Sequence, residues 1–307
     1  MEINKIHNID FLTNTLPDKC AKLIIADPPY YRTKGEFDFI WKTFEDYLKD
    51  VEIWALECER LLADNGTLLW YGDAKNIAYS QIIFDKHFNL LNSIVWENTN
   101  DHKQQIRFNE DLRTFAPLTE RILMYENKKQ AIFVCDEIRD YLVSEKKKSK
   151  LTLTDLNEIL IGKRKSDLIA KRYFGTSQWE LPTREMYLKL QTTGFFKKQF
   201  EVLREEYDEL RRPFNNALHL GDVIRLPNYE TSDYEHDTIK PEKLTRILIT
   251  TCSRENDLVI VPFAGSGTEC AMSAKEKRPF VGFEITEKHA DMSNKRSSKI
   301  LSQPTMF

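Results

Sequence analysis

The chain has 307 residues, 41% of them apolar and 30% charged, with a net charge of −3. That size and composition suit a soluble globular protein: one large α/β domain with an inserted module, or two small domains. The net charge excludes a globally basic nucleic-acid binder. No apolar run approaches the ~18 residues of a membrane-spanning helix, and the start, MEINKIHNIDFL, lacks the features of a signal peptide. A cytoplasmic protein is expected. Five widely spaced cysteines without a C-x-x-C pair read as reduced thiols, not disulfides or a zinc site.

Residues 1–137 alternate strand and helix patterns. Residues 22–26 (KLIIA) form a short apolar run that ends at an Asp-Pro-Pro turn, which predicts a buried strand. Helical spacing follows over 47–62, and Asp64-Asn65-Gly66 reads as the turn that stops it. Residues 67–71 (TLLWY), 90–96 and 121–125 are further strand candidates. Strands separated by helices predict a mostly parallel sheet covered on both faces.

Residues 138–212 are helical and charged. Thr154 is the expected cap of a helix over 155–161, Gly162 its end, and Ser166 the cap of a second helix over 167–174. Helix, glycine turn and helix outline a helix-turn-helix. Phe200, Leu203, Tyr207 and Leu210 share one face of a later helix ended by Pro213, a packing stripe. From Lys146 to Arg172 there are nine Lys/Arg and three Asp/Glu, a local basic surface able to meet a polyanion. A solvated linker and charged helix face explain the same run equally well.

Residues 213–307 return to the α/β pattern. A strand over 258–261, the turn over 262–268, a helix over 269–277 and a strand over 279–283 follow one another, and Glu284 ends the last strand. His236-Asp237-Thr238-Ile239-Lys240-Pro241 precedes a helix expected near Glu242. Thr238 and Lys240 could bind a carboxylate there, or simply form a polar helix entrance.

Two segments carry chemistry. Asp27-Pro28-Pro29-Tyr30 sits at a strand's carboxyl end, where open α/β sheets bind ligands. The prolines stiffen the backbone and remove two N–H donors, so the Asp27 carboxylate and Pro28 carbonyl become a pair of acceptors beside an aromatic ring. Methylating an exocyclic amino group needs such a pair. The nitrogen lone pair is delocalised into the base, and gripping both N–H bonds would draw it toward tetrahedral geometry. An extruded base loses a few kcal/mol of stacking, and an aromatic face returns about 1–3 kcal/mol.

The second segment is Pro262-Phe263-Ala264-Gly265-Ser266-Gly267-Thr268. Its glycines allow close backbone approach to a ligand, and the following helix N-terminus offers free N–H groups. Glu284 ends the next strand, where an acid suits ribose hydroxyls. The absence of G-x-x-x-x-G-K-[ST] disfavours a P-loop ATPase.

These segments together resemble the β-class DNA amino-methyltransferases. The chain has that class's order: D-P-P-Y, a variable recognition region, a stretch similar to H-P-T-x-K-P, then F-x-G-x-G. Shorter likenesses lie at 16–18, around Trp96, at 120–125 and at 221–223, so that about 230 residues are covered. The resemblance implies a Rossmann-like, mostly parallel seven-stranded sheet, circularly permuted, with a helical insert. It implies a catalytic half over 1–137, a target-recognition insert over 138–212 and a cofactor-binding half over 213–307.

The implied activity is methyl transfer from S-adenosyl-L-methionine to N6 of adenine in double-stranded DNA, by base flipping and direct in-line transfer. No metal and no covalent enzyme intermediate are required. In the implied roles Asp27 and Pro28, stiffened by Pro29, hold the amino group and Tyr30 stacks on the base. Phe263, Gly265 and Gly267 form the cofactor turn with Pro262, Ala264, Ser266 and Thr268. Glu284 holds the ribose, Asn8 meets the adenine edge, and Thr238 and Lys240 lie near the methionine carboxylate. The residues expected on DNA are Arg107, Arg113, Lys163, Arg164, Lys165, Lys171 and Arg172, phosphate contacts in the first place. A homodimer and a cognate restriction endonuclease are candidate partners.

The chain departs from the family pattern at four places. Val261 replaces an Asp before Pro-Phe, which removes an acid expected near the methionine end. His7-Asn8 replaces Gly-Asp, Asp237 replaces Pro, and Asn98 stands where Lys often follows Trp. Three rival readings are N4-cytosine methylation at the same site, methylation of protein or RNA, and a non-catalytic DNA-binding subunit of a modification system.

Overall fold

The computed structural model describes residues 1–33, 36–100, 113–115, 117–128, 136–162, 167–176, 179–228 and 239–302. The strands are β1 (Lys5–His7), β2 (Ala21–Ala26), β3 (Leu62–Gly72), β4 (Phe88–Asn98), β5 (Thr119–Asn127), β6 (Val223–Leu226), β7 (Val259–Val261) and β8 (Phe280–Phe283). The helices are α1 (Phe44–Leu61), α2 (Ile77–Phe84), α3 (Asp136–Ser149), α4 (Leu153–Ile161), α5 (Leu168–Phe174), α6 (Arg184–Gln191), α7 (Phe200–Leu210), α8 (Glu242–Cys252), α9 (Thr268–Lys275) and α10 (Glu287–Leu301).

The strands form one sheet in the order β1-β8-β7-β2-β3-β5-β4-β6. All pairings are parallel except those of β5, which runs antiparallel between β3 and β4. The six strands legible as apolar runs are present. The short β1 and β6 at the two edges bring the total to eight, one more than the seven that the resemblance implied. Three or four residues with alternating burial are too few to stand out as a pattern.

Side chains alternate between the two faces of the pleat. Leu23, Ile25, Leu69, Tyr71, Ile122 and Met124 pack on one side with residues of α8, α9 and α10. Ile24, Ala26, Leu68, Trp70, Leu123 and Tyr125 pack on the other with α1 and α2. Both faces of β2 are therefore apolar, which is why KLIIA shows no alternation.

The expected turn at 64–66 is instead part of β3. Between Ala21 paired with Leu62 and Leu23 paired with Thr67 the register shifts, and the extra residues bulge. A Cβ on Gly66 would stand 2.8 Å from the Ala21 carbonyl oxygen, so only glycine allows that approach. The preceding helix begins at Phe44, capped by Thr43, whose hydroxyl accepts from the Asp46 N–H.

Two compact units emerge: Met1–Lys128 with Pro213–Phe307, and Lys129–Arg212. The second unit has its own core of Ile138, Leu142, Leu156, Leu160, Ala170, Tyr173, Tyr187, Leu190 and Leu203, among others. The predicted stripe of Phe200, Leu203, Tyr207 and Leu210 packs into it. The cap of α4 is Thr152, not Thr154. Thr152 and Asp155 exchange side chain and backbone bonds in a capping box, and Gly162 closes the helix at φ 70°. Thr154 lies inside the helix; Asp155 three residues after Thr152 was the signal for the true start. Ser166 lies outside the described residues, and α5 begins after Asp167.

Among the described residues no helix is long and apolar enough to cross a membrane. Leu156 is fully buried in the helical unit, so Leu156→Ala should cost about 2–5 kcal/mol. Hydrogen-exchange mass spectrometry should show faster exchange across α4–α6 while β2 and β3 keep their protection.

Candidate active site

Four adjacent parallel strands, β1, β8, β7 and β2, necessarily end at the same edge of the sheet. From β7 the chain crosses through α9 to β8 on one side. From β2 it crosses through α1 to β3 on the other. The crevice between diverging connections is the binding position of open α/β sheets. A cavity of about 350 Å³ lies there, large enough for a small-molecule ligand.

One wall of the cavity is Asp27, Pro28, Pro29 and Tyr30, directly after β2. The Asp27 carboxylate receives the Lys240 ammonium at 2.6 Å and the Tyr30 hydroxyl. Lys240 also lies 3.3 Å from Glu120 on β5 and 3.3 Å from the Tyr30 hydroxyl. Its ammonium stands 5.5 Å and 5.0 Å from the ring centres of Tyr30 and Tyr71, where the π faces attract a cation. Lys240 is 5% exposed. Burial opposes its charge, but Asp27 and Glu120 outweigh burial and hold it above the ordinary lysine range.

The loop after β2 is pinned from both sides. The Tyr30 N–H donates to Asp38 at 2.7 Å, and Asn76, just before α2, donates to the Tyr30 carbonyl at 2.8 Å. Burial, then the carboxylates of Asp27 and Glu120, push the Tyr30 phenol well above its usual range, so it stays a donor.

The opposite wall is the turn after β7. Phe263, Ala264, Gly265 and Ser266 line the cavity. Phe263 wedges its ring edge-on against Trp54, centroids 5.0 Å apart. Gly267 adopts φ 73°, and a Cβ there would meet Ser293 Cβ at 2.6 Å, so this position requires glycine twice over. Pro262, Gly267 and Thr268 support the turn without lining the cavity; Thr268 accepts from Arg296 at 2.9 Å. Glu284, after β8, does line it and accepts from the N–H groups of Gly265 (2.9 Å) and Thr286 (2.8 Å).

The expected residues are thus distributed unevenly. Asp27–Tyr30, Lys240, Phe263–Ser266 and Glu284 share one cavity. Asn8 does not line it: its amide donates to the carbonyls of Glu284 and Ile285. Lys240 lies on Asp27 and Glu120, where a carboxylate-binding role had been expected. Val261, in place of the expected acid, is fully buried in the apolar cluster under α8–α10.

Thr238, Arg107, Lys163, Arg164 and Lys165 lie outside the described residues. Arg113 is exposed. Lys171 and Arg172 are half-exposed on α5 and pair with Asp167 (2.9 Å) and Glu180 (3.4 Å).

Sequence reasoning missed Glu120, Asp38 and Glu269. Glu269 lines the cavity and is 4% exposed; burial first, and the Asp27 carboxylate second, push it up to about 7. Its position two residues after Gly267 reads in sequence as an ordinary acid in a helix first turn. Glu120 reads as a polar strand start, with nothing local to mark its partner.

The arrangement offers acceptors at a stiffened strand end, a cation that orients them, and a glycine turn across the same cavity. Comparisons with known proteins identify the family. The Haemophilus influenzae type II methyltransferase M.HinfI is 25% identical over 94% of this chain, which spans 66% of that relative's length. The Escherichia coli K12 DNA adenine methyltransferase YhdJ is 26% identical over 92% of this chain and 77% of its own. The crystal structure of an M1.HpyAVI–SAM complex shares the fold, with a TM-score of 0.54 and 17% identity, over 95% of this chain and 98% of that one. A family model described as DNA methylase matches residues 21–295. The chain therefore belongs to the N6/N4 DNA methylase family, whose members use S-adenosylmethionine.

Proposed function

We propose that the chain methylates N6 of adenine in duplex DNA. The observation that carries the reading is the meeting of Asp27–Tyr30 and the Gly265 turn in one cavity. A methyl acceptor and a methyl donor must lie within reach of each other for in-line transfer. The wall suits the donor: a glycine cradle closed by Ser293, an acid at the end of β8, and a buried carboxylate oxygen on Glu269 without a hydrogen-bond partner among the described residues.

S-adenosylmethionine supplies an electrophilic methyl group and leaves as the neutral thioether. The chain's own residues prepare the nucleophile. Asp27 and the Pro28 carbonyl accept from the two N–H bonds of the target amino group and draw the nitrogen lone pair out of conjugation. Lys240 and the Tyr30 hydroxyl fix the carboxylate so that little reorganises during transfer. The Tyr30 ring offers the flat face for an extruded base. The helical unit of Lys129–Arg212 is the proposed target-recognition module, with Lys171 and Arg172 among its phosphate contacts.

Adenine is favoured over cytosine by Asp27 as the first residue of the motif, in a family where Ser often marks cytosine enzymes. The name of the relative YhdJ agrees.

Asp27→Ala should reduce single-turnover methyl transfer by more than about tenfold, with cofactor affinity by calorimetry near that of the unaltered protein. A variant that keeps more than a tenth of the rate would remove Asp27 from the chemistry. Nucleoside mass spectrometry of duplex DNA methylated by the protein should yield N6-methyladenine; N4-methylcytosine would move the assignment to the other base. Lys171→Ala with Arg172→Ala should flatten the log–log salt dependence of DNA binding by about 2, one counterion per phosphate contact. An unchanged slope would take α5 off the DNA.

A further inference from the structure

Six carboxylates line the cavity, those of Asp10, Asp27, Asp38, Asp50, Glu269 and Glu284, against one lysine, Lys240. Five of the six accept from another residue. Asp10 accepts from the Leu12 N–H at 2.8 Å, Asp27 from Lys240, and Asp38 from the Tyr30 N–H at 2.7 Å. Asp50 accepts from the Trp41 indole at 2.6 Å, and Glu284 from two backbone N–H groups. Glu269 differs: its Oε1 is buried and has no hydrogen-bond partner among the described residues. A buried carboxylate oxygen without a donor is costly, and although this carboxylate also accepts from its own backbone N–H, a cation reaching Oε1 from the cavity would offset that cost.

The nearby protein cations are engaged elsewhere. Lys240 sits on Asp27 at 2.6 Å. Arg296 reaches Glu242 at 2.8 Å and Thr268 at 2.9 Å. A cation carried by the ligand can supply the missing donor. S-adenosylmethionine carries two positive groups, a sulfonium and an α-ammonium. The sulfonium has no hydrogen to donate, so the ammonium is the group that can complete Oε1.

The geometry points to Glu269 as the acceptor of the cofactor's α-ammonium, an inference that rests on the reading of this cavity as the S-adenosylmethionine site. Glu269 follows the Gly265–Gly267 turn in the first turn of α9. It thereby supplies from the helix side the negative charge that Val261 leaves missing at the strand end.

The titratable and charged groups acting on Glu269 are Asp27 at the end of β2, Tyr71 on β3, Lys240 before α8, Cys270 beside it on α9 and Arg296 on α10. Glu284 and His289 line the same cavity. Glu269 is raised to about 7 in the protein without ligand. An arriving ammonium favours its ionised form, so binding near pH 6 should release a proton.

The test is calorimetry on the full chain and on Glu269→Gln with three probes: S-adenosylmethionine, S-adenosylhomocysteine and 5′-methylthioadenosine. The last keeps the nucleoside and the thioether but lacks the amino acid. The substitution should weaken the first two by about tenfold or more and leave the third within about twofold. The unaltered protein should release a proton on binding S-adenosylmethionine at pH 6, read from heats in buffers of different ionisation enthalpy, and the variant should not.

A folding control has a defined sign. A carboxyl raised from 4.5 to about 7 contributes stability that is complete below about 4.5 and is lost as pH rises through about 7. Glu269→Gln should flatten that decline and be no less stable at pH 8. Undiminished S-adenosylmethionine binding by the variant, or equal weakening of all three probes, would overturn the ammonium role alone. If the unaltered protein bound none of the three, the reading of the cavity would fail with it.

Discussion

A lysine ammonium almost out of contact with water is the constraint on which the site is built. Lys240 precedes α8, where the helix's positive end disfavours a cation. It is tolerated because Asp27, from the end of β2, and Glu120, from β5, meet it with carboxylates. Three segments remote in sequence are thereby held to one another within hydrogen-bonding distance. Removing Lys240 would leave two carboxylates facing each other without a counter-charge, so the group depends on it. The Asp27 carboxylate enters the cavity already aimed, its second oxygen accepting from the Tyr30 hydroxyl.

The sheet makes that meeting possible. Leu23 pairs with Val259 and Ile24 with Ile260, so the amino-terminal strand that leads into Asp27 lies beside a strand from the far end of the chain. Because the site is assembled from strand ends, the order in which strands occur along the chain is of little consequence. What counts is that β2 and β7 are parallel neighbours whose onward connections diverge. A permuted chain order preserves both conditions.

The legible parts of the sequence were those whose physics is local. Asp27-Pro28-Pro29-Tyr30 and the glycine turn each announce themselves within a few residues, because proline and glycine restrict or free the backbone on the spot. Six strands were readable as apolar runs. Partnerships across the fold were not. Nothing near Lys240 says that it faces Asp27 and not a ligand carboxylate, and nothing near Asn8 says that its amide holds the Glu284 and Ile285 carbonyls. The cap at Thr152 was misplaced by two residues because two threonines alternate there, and only the Asp155 spacing distinguishes them. The stretch at 64–66 looked like a turn because Asp, Asn and Gly are turn residues. Gly66 is in fact there for contact with the Ala21 backbone.

The balance of charge in the cavity bears on how the proposed reaction runs forward. An acidic wall attracts a ligand of net positive charge, and methyl transfer turns the sulfonium into an uncharged thioether. The α-ammonium remains, so a carboxylate on that group would hold donor and product about equally. Discrimination between them would then come from the side of the cavity where the methyl departs, which in the proposed reading is the Asp27 side. With Lys240 against one oxygen and the Tyr30 hydroxyl on the other, Asp27 keeps only part of its pull on a sulfonium. In the proposed reaction, the same two contacts that orient Asp27 for the amino group would also limit how tightly the donor is held before transfer, which would leave more of the binding free energy to appear in the transition state.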